Sequence, residues 1–146
     1  MDPYRIIVTG ARDWPESEAR FVDYALGSLI ARTVGTFGSI VIVHGDCPTG
    51  VDAIADRHAL HSPYGGRVTV EAHPARWSEH GNAAGPKRNA EMVALGADVC
   101  LAFPGPGSRG TIDCLTKAVQ AGIATQVFPL AYARDRRVPP SGLMVP

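Results

Sequence analysis

Short apolar runs alternate with segments of helical periodicity along most of this chain, and that alternation limits the possible folds more than any other feature. Five runs of strand type occur at 5–9, 39–43, 67–71, 99–103 and 124–128. One helical segment begins near 15–18 and buries the face that carries Phe21, Leu26 and Ile30. The other helical segments span about 51–61, 86–95 and 111–121. Strands and helices that alternate with short connections form right-handed βαβ units around a parallel sheet.

We therefore predict an α/β protein with a Rossmann-like three-layer fold, in which a mostly parallel sheet carries helices on both faces. Residues 1–133 are predicted to form this domain, and 134–146 to form a C-terminal tail without periodicity. The segment 73–85 contains prolines, glycines and many polar residues, so it is predicted to be irregular. Neither an internal repeat nor a low-complexity linker indicates a second domain.

The charge balance makes nucleic acid an unlikely partner. Lys and Arg together number 14, as do Asp and Glu, so the formal net charge is zero and no global field attracts a polyanion. No stretch approaches the roughly 20 apolar residues that span a bilayer, so we expect no membrane partner. Three cysteines without paired spacing predict a cytoplasmic location. His58 and His61 lack the spacing of a metal site, and we expect neither a metal nor a cofactor.

Open α/β sheets bind ligands at the carboxyl ends of their strands, and here those ends carry glycines, basic side chains and tryptophans. Five basic residues are expected to face one crevice although the whole chain is neutral: Arg12, Arg76, Lys87, Arg88 and Arg109. The candidate ligand-binding residues are Gly10, Ala11, Arg12, Trp14, His44, Gly45, Asp46, Asp52, Trp77, Lys87, Arg88, Asn89, Pro104, Gly105, Gly107, Ser108, Arg109, Gly110 and Thr111. Within this set the two tryptophans are candidates to stack on a base.

The loop at 104–111 indicates a phosphate site. An apolar strand ends there, a glycine-rich loop follows and a helix then begins, so unpaired N–H groups at the helix start can bind an anion. Arg109 adds a charge that can pair with phosphate. Each feature also has a purely structural interpretation: glycines make turns, Asp52 and Asp113 suit the first turn of a helix, and tryptophans pack in the core or in loops.

Four motifs of this chain resemble the YspA-type branch of the SLOG superfamily, which also includes the LOG cytokinin-activating phosphoribohydrolases and the DprA DNA-processing proteins. The motifs are the segment 8–14, His44-Gly45-Asp46 together with 50–52, the run 77–89, and Ala102-Phe103-Pro104 together with 110–113. The similarity covers roughly residues 5 to 130. It implies a Rossmann-like fold, often dimeric, that binds nucleotides or nucleotide-derived signals. We therefore expect a nucleotide-like small molecule as partner, and a homodimer.

In the LOG enzymes an arginine before a helix and a glutamate in a Pro-Gly-Gly-x-Gly-Thr-x-x-Glu motif act on the N-glycosidic bond. Arg88 matches that arginine, and Gly110 with Thr111 match the Gly-Thr pair. Cys114 occupies the glutamate position, and Asp113 is the only nearby carboxylate.

Two functions follow from this comparison. The first is binding of a nucleotide or nucleotide-derived ligand at the carboxyl edge of the sheet. The alternative is a phosphoribohydrolase that cleaves the N-glycosidic bond of nucleoside monophosphates, with Arg88 and Asp113 as catalytic residues. A third function, DprA-like binding of single-stranded nucleic acid, would need a broad basic surface, which zero net charge does not favour.

Overall fold

The computed structural model describes residues 1–135, and five strands in this range form a single sheet. They are β1 (Tyr4–Gly10), β2 (Ile40–His44), β3 (Val68–Ala72), β4 (Val99–Phe103) and β5 (Ala124–Val127). The strand order is β3-β2-β1-β4-β5, and every neighbouring pair is parallel. The predicted Rossmann-like α/β architecture is confirmed, and the sheet of the described residues is entirely rather than mostly parallel.

Helices connect the strands and follow the last one. They are α1 (Ala19–Phe37), α2 (Gly50–Leu60), α3 (Trp77–His80), α4 (Ala84–Ala94), α5 (Arg109–Gln120) and α6 (Leu130–Arg134). Short 3-10 turns lie at Glu16–Glu18, Gly65–Arg67 and Gly81–Ala83. Among the helices of residues 1–135, none has the length and apolar character needed to cross a membrane.

Two separate cores lie on the two faces of the sheet. Ile6 and Val8 of β1 belong to a large core that also contains buried residues of α1 and α2. Ile7, between them, belongs to a smaller core with Met92 of α4 and Ala118 of α5. Successive side chains of a strand point to opposite faces, so this alternation places helices on both sides of the sheet. The predicted three-layer arrangement is confirmed.

Three helices begin at residues other than those predicted. The residues after Pro15 form a 3-10 turn, and α1 starts only at Ala19. α4 starts at Ala84 rather than Pro86, because a proline lacks an N–H group and is accommodated within the first turn of a helix. α5 starts at Arg109, two residues before the predicted start at Thr111.

The segment 73–85 is not wholly irregular, so that prediction was wrong in part. It contains the single turn of α3 and the 3-10 turn that follows. One helical turn is too short to produce a repeating apolar pattern, so the sequence carried no periodic signal for it. The predicted tail lies outside the described residues from position 136 onward, and Arg134 itself ends α6.

An ion pair joins β1 to β3 across the intervening β2. The Arg5 guanidinium donates two hydrogen bonds to the Glu71 carboxylate, with N–O distances of 3.0 and 2.9 Å. His73 Nε2 lies 2.7 Å from a Glu71 oxygen. The hydrogen bonds from Arg5, followed by that of His73, lower the pKa of Glu71 to about 2. This carboxylate is therefore a pH-sensitive contributor to the stability of the sheet.

Candidate functional site

A cavity of about 530 Å³ lies at the carboxyl edge of the sheet. It is bounded by the loop after β1, the loop after β2, the start of α4 and the loop that leads into α5. Cavities of a few hundred to about 1,000 Å³ are the usual size of small-molecule sites. The predicted meeting of separate strand ends on one edge is therefore present in the structure.

The floor of the cavity is formed where the loop after β1 contacts the start of α2. The Val51 N–H donates to the Ala11 carbonyl at 3.1 Å, and the Thr49 hydroxyl donates to the Arg12 carbonyl at 2.8 Å. Gly50 has φ +69° and lies so close to the Ala11 carbonyl that a Cβ at this position would collide with it. Two close backbone approaches therefore fix the shape of the floor.

One wall is the glycine-rich loop before α5. The Gly105 N–H donates to the Ser108 hydroxyl at 3.0 Å, and the Ser108 N–H donates back to the Gly105 carbonyl at 3.2 Å. The Ile112 N–H donates to the Ser108 carbonyl at 3.1 Å. Gly110 and Thr111, the two residues before Ile112, both line the cavity. N–H groups in the first turn of a helix are a natural binding site for an anion.

Arg88 has a different local setting from the one predicted. It lies in the second turn of α4 rather than at the helix start, because the helix begins at Ala84. Its Nη1 donates to the carbonyls of Gly45 at 2.6 Å and His73 at 3.3 Å, and its Nε donates to Asn89 Oδ1 at 2.9 Å. Arg88 therefore joins the loop after β2 to the loop after β3 while it lines the cavity.

Asp52 is a buried carboxylate in the cavity wall, with 8% of its surface exposed. Its Oδ2 accepts a hydrogen bond from the Cys47 N–H at 3.2 Å. Burial raises the pKa of Asp52, although hydrogen bonds from the loop and the nearby charge of Arg88 favour its ionised form. This carboxyl group therefore holds a proton more readily than an exposed aspartate does.

Asp113 is bound on two sides. Lys117 Nζ lies 2.7 Å from both Asp113 oxygens, and Asn89 Nδ2 donates to Oδ2 at 3.0 Å. Desolvation raises the pKa of Asp113, but the hydrogen bonds from Lys117 and Asn89 outweigh it, so the net pKa is lowered. Cys114, the next residue, is fully buried in the smaller core and does not line the cavity.

Arg12 and Trp77 meet at the cavity, and both line it. The guanidinium carbon of Arg12 lies 5.1 Å from the centre of the Trp77 ring, which is a cation–π contact. Trp77 is 46% exposed. Its ring edge also approaches Gly85, where a Cβ would lie 3.3 Å from Cη2. The loop after β1, the residues after β3 and the start of α4 therefore meet around one indole ring.

Most of the predicted site residues line the cavity, including both predicted catalytic residues. They are Gly10, Ala11, Arg12, Gly45, Asp52, Trp77, Arg88, Asn89, Gly107, Ser108, Arg109, Gly110, Thr111 and Asp113. The other predicted residues are not part of the lining; they are Trp14, His44, Asp46, Lys87, Pro104 and Gly105. Of the five basic residues expected in one crevice, Arg76 and Lys87 are exposed outside the lining.

Trp14 corrects the expectation of two stacking tryptophans. It is buried, its indole N–H donates to the Glu18 carbonyl at 2.9 Å, and its ring packs edge-on against Phe103. A tryptophan with both faces in the core has no surface for a ligand ring. Trp14 is therefore a core residue of the described structure.

His44 and Asp46 shape the loop after β2 from outside the cavity. The Asp46 N–H donates to His44 Nδ1 at 2.9 Å, which leaves the proton on Nε2, 3.0 Å from Asp56 Oδ1. His44 is buried, and Asp46 adopts φ +59°, which is uncommon for a residue with a side chain. The pair holds the turn that presents the Gly45 carbonyl to Arg88.

The cavity lining also contains residues outside the predicted set of ligand-binding and catalytic residues: Val8, Thr9, Asp13, Cys47, Asn82, Gly85, Pro86, Met92 and Pro106. Met92 follows Arg88 and Asn89 by four and three positions, so helical spacing could have placed it on the same face. Asn82 lies in the segment that was predicted to be irregular. Within residues 1–135, no cluster of three or more metal-ligating side chains occurs.

A parallel sheet with helices on both faces and a cavity at its carboxyl edge defines the chain as a Rossmann-like α/β protein. The chain belongs to the YspA, cpYpsA-related SLOG family, whose sequence profile matches residues 4–80. It is also similar to the Gene 61 protein of Mycobacterium phage D29, with 45% identity over 120 residues that cover 82% of this chain and 91% of that protein. The predicted resemblance to the YspA-type branch is confirmed. Membership of this family indicates a role that involves a nucleotide-related ligand.

Proposed function

We propose that the protein binds a nucleotide or a nucleotide-derived ligand in the cavity, with the phosphate group at the loop 105–111. The observation that supports this most strongly is the start of α5. Gly110 and Thr111 lie in its first turn, Arg109 lies beside them, and all three line one cavity of about 530 Å³. Helix N–H groups and a guanidinium together suit a phosphate, because both carry positive charge toward the same anion.

The charges around the cavity agree with an anionic ligand. Arg12, Arg88 and Arg109 line it, together with the carboxyl groups of Asp13, Asp52 and Asp113, of which the last two are partly compensated. Burial raises the pKa of Asp52 and so favours its neutral form, and Lys117 pairs with Asp113. Because Arg109 is exposed beside the loop, a phosphate bound there meets a positive charge directly.

A binding screen tests the proposal. Thermal-shift and calorimetric measurements against nucleoside monophosphates, diphosphates, ADP-ribose species and cyclic dinucleotides should reveal at least one ligand that stabilises the protein, because a ligand of the native state raises its stability by mass action. Silence across the whole panel would contradict the proposal.

The alternative proposal is hydrolysis of the N-glycosidic bond of a nucleoside monophosphate. Asp113 lines the cavity, and its lowered pKa keeps it ionised at neutral pH. An ionised carboxylate stabilises the positive charge that develops at C1′ as the C–N bond breaks and water adds to the sugar. Arg88 would orient the substrate, although three of its N–H groups already bind Gly45, His73 and Asn89.

Chromatography separates the two proposals. Incubation with AMP, GMP and CMP should release free base and ribose 5-phosphate if the protein is a hydrolase, and Asp113→Asn should abolish the release while nucleotide binding survives. If no free base is released from any of the three nucleotides, the hydrolase proposal is rejected. The binding proposal is then decided by the ligand screen alone.

We also propose that two copies associate in the cytoplasm. Leu95 at the end of α4 and Ile112 and Val119 on α5 are all at least half exposed. α4 and α5 cover the same face of the sheet, so these apolar side chains belong to the same side of the domain. Exposed apolar side chains on one side of a domain suit association with a second copy.

A further inference from the structure

Arg12 and Trp77 contact each other in the cavity, and the proposed phosphate site gives Trp77 no role. We propose that Trp77 is the stacking surface for a planar, nitrogen-containing ring of the ligand, and that this ring replaces the Arg12 guanidinium on the indole while Arg12 turns to the ligand's anionic group. This inference rests on the proposed binding function and adds to it the side chain that recognises the aromatic base of the ligand.

The position of Trp77 suits a side chain on which a ligand ring stacks. It lines the cavity and is 46% exposed, whereas the buried Trp14 has 3% of its surface exposed. Gly85 at the start of α4 allows the indole edge to approach the helix, since a Cβ there would lie 3.3 Å from Cη2. The ring is therefore supported along one edge and retains open surface toward the cavity.

Arg12 is suited to leave the ring. It is exposed, and its contact with Trp77 is a cation–π interaction at 5.1 Å between the guanidinium carbon and the ring centre. Stacking of a nucleobase on an aromatic side chain is stronger than an exposed contact of this kind. The exchange therefore favours a ligand with a ring, and the released guanidinium can form bidentate hydrogen bonds with a phosphate.

A sugar phosphate without a base gains nothing from this exchange. It would bind at the loop before α5 while Arg12 stays on Trp77. The comparison of AMP with ribose 5-phosphate, two probes that share the phosphate and the sugar, isolates the contribution of the ring.

Calorimetry on the full chain and on Trp77→Ala, Trp77→Phe and Tyr132→Ala tests the proposal. Trp77→Ala should weaken AMP binding roughly 5- to 150-fold and should not weaken ribose 5-phosphate binding, since the loss of the ring also frees Arg12 for the phosphate. Trp77→Phe should restore most of the loss, because a phenyl ring also stacks. Tyr132→Ala, which removes an exposed aromatic residue of α6 outside the cavity lining, is the matched control and should change neither affinity.

Tryptophan fluorescence gives an independent reading. AMP should quench the emission of the exposed Trp77 and protect it from acrylamide, and the remaining emission of Trp77→Phe, which comes from the buried Trp14, should not respond. Arg12→Ala should raise acrylamide quenching of Trp77 in the free protein. Arg20→Ala is the control. It removes a cation–π contact elsewhere, in which the Arg20 guanidinium carbon lies 4.8 Å from the centre of the Phe21 ring, and it should leave the acrylamide quenching of Trp77 unchanged.

Two results would overturn the inference, and they differ in what else they reject. If AMP binds wild type and Trp77→Ala equally well, the stacking role is wrong while the proposed nucleotide function stands. If neither AMP nor ribose 5-phosphate binds, and the wider nucleotide panel is also silent, both the proposed function and this inference fail.

Discussion

At the scale of single residues, the cavity depends on glycines that allow one backbone to lie against another. A Cβ on Gly10 would collide with the Val51 side chain, and one on Gly45 would collide with the Arg88 guanidinium. The consequences differ, because Val51 is packed in the core whereas the Arg88 side chain can move. Gly10 is therefore a requirement of the fold, and Gly45 is a requirement of the arrangement that holds Arg88.

Gly50 permits a direct test of this backbone approach. Gly50→Ala should destabilise the protein by roughly 2 kcal/mol or more, because φ is +69° and the new Cβ meets the Ala11 carbonyl. Gly35→Ala is the matched control: no atom lies within 4 Å of its Cβ position inside α1, and the change should stabilise by about 0.5–1 kcal/mol. Urea unfolding measures both, and equal midpoints would contradict the assignment.

Glu71 gives a prediction on pH. Its pKa is lowered from 4.5 to about 2 in the folded protein, so the carboxylate contributes stability above pH 4.5 that is lost as the pH falls toward 2. Glu71→Gln should be less stable than wild type at pH 6 and should lose less stability between pH 4.5 and 2. Glu79→Gln, which changes a more exposed carboxylate, is the control, and its urea midpoints should follow wild type. Parallel pH profiles for wild type and Glu71→Gln would show that the pairing is not stabilising.

At the scale of secondary-structure elements, the start of α5 is the most consequential feature. The Gly105–Ser108 hydrogen bonds shape the preceding loop, and Gly110 and Thr111 in the first turn of the helix line the cavity. Asn89 of α4 donates to the Gly110 carbonyl at 3.1 Å and to Asp113, so the two helices are joined at the site itself. Because Asn89 is buried, water does not compete for these hydrogen bonds, and they fix the start of α5 against α4.

Arg109 and Lys87 form a matched pair for testing this element. Both are exposed basic residues, but only Arg109 lines the cavity. Arg109→Ala should weaken binding of a phosphate-bearing ligand roughly tenfold to hundredfold, through loss of a charge-assisted hydrogen bond. Lys87→Ala should leave the affinity unchanged. Calorimetry with the ligand from the screen decides, and equal losses in the two variants would favour a diffuse electrostatic effect over a site.

The elements were predictable from the sequence to the extent that their patterns repeat. Strands such as 99–103 are continuous apolar runs, and α5 follows a glycine-rich loop, so both were identified. The one-turn helix α3 has no repeat to detect. Trp14 was misassigned because a tryptophan just after a strand end suits either a ligand or the core, and only the contact with Phe103 distinguishes them. Arg88 was placed at a helix start because Pro86 concealed the true start at Ala84.

At the scale of the whole molecule, the strand order explains why distant segments share one site. β1 is central, with β2 on one side and β4 on the other, so the loops after these strands are neighbours although they are far apart in sequence. A neutral chain can therefore concentrate three arginines around one cavity without an overall basic surface. This local concentration suits a small anion.

Association of two copies is a prediction at the same scale. Light scattering should give twice the chain mass of 15.4 kDa for wild type and a single mass for Val119→Asp, which puts a charge on the proposed apolar face. Leu60→Asp changes an exposed residue of α2 and should leave the dimer intact. A wild-type monomer at all accessible concentrations would contradict the proposed association.

A phosphate-bearing nucleotide that binds at the carboxyl edge of the sheet changes the surroundings of the backbone amides there, and a nitrogen–proton NMR spectrum records that change residue by residue. Titration with the nucleotide found in the screen should shift the amide signals of Gly10, Gly110 and Thr111 together, with one binding constant, and should leave those of α6 unmoved. Shifts confined to other surfaces, or no shift at saturating concentrations of any nucleotide in the panel, would show that this edge of the sheet is not a nucleotide site.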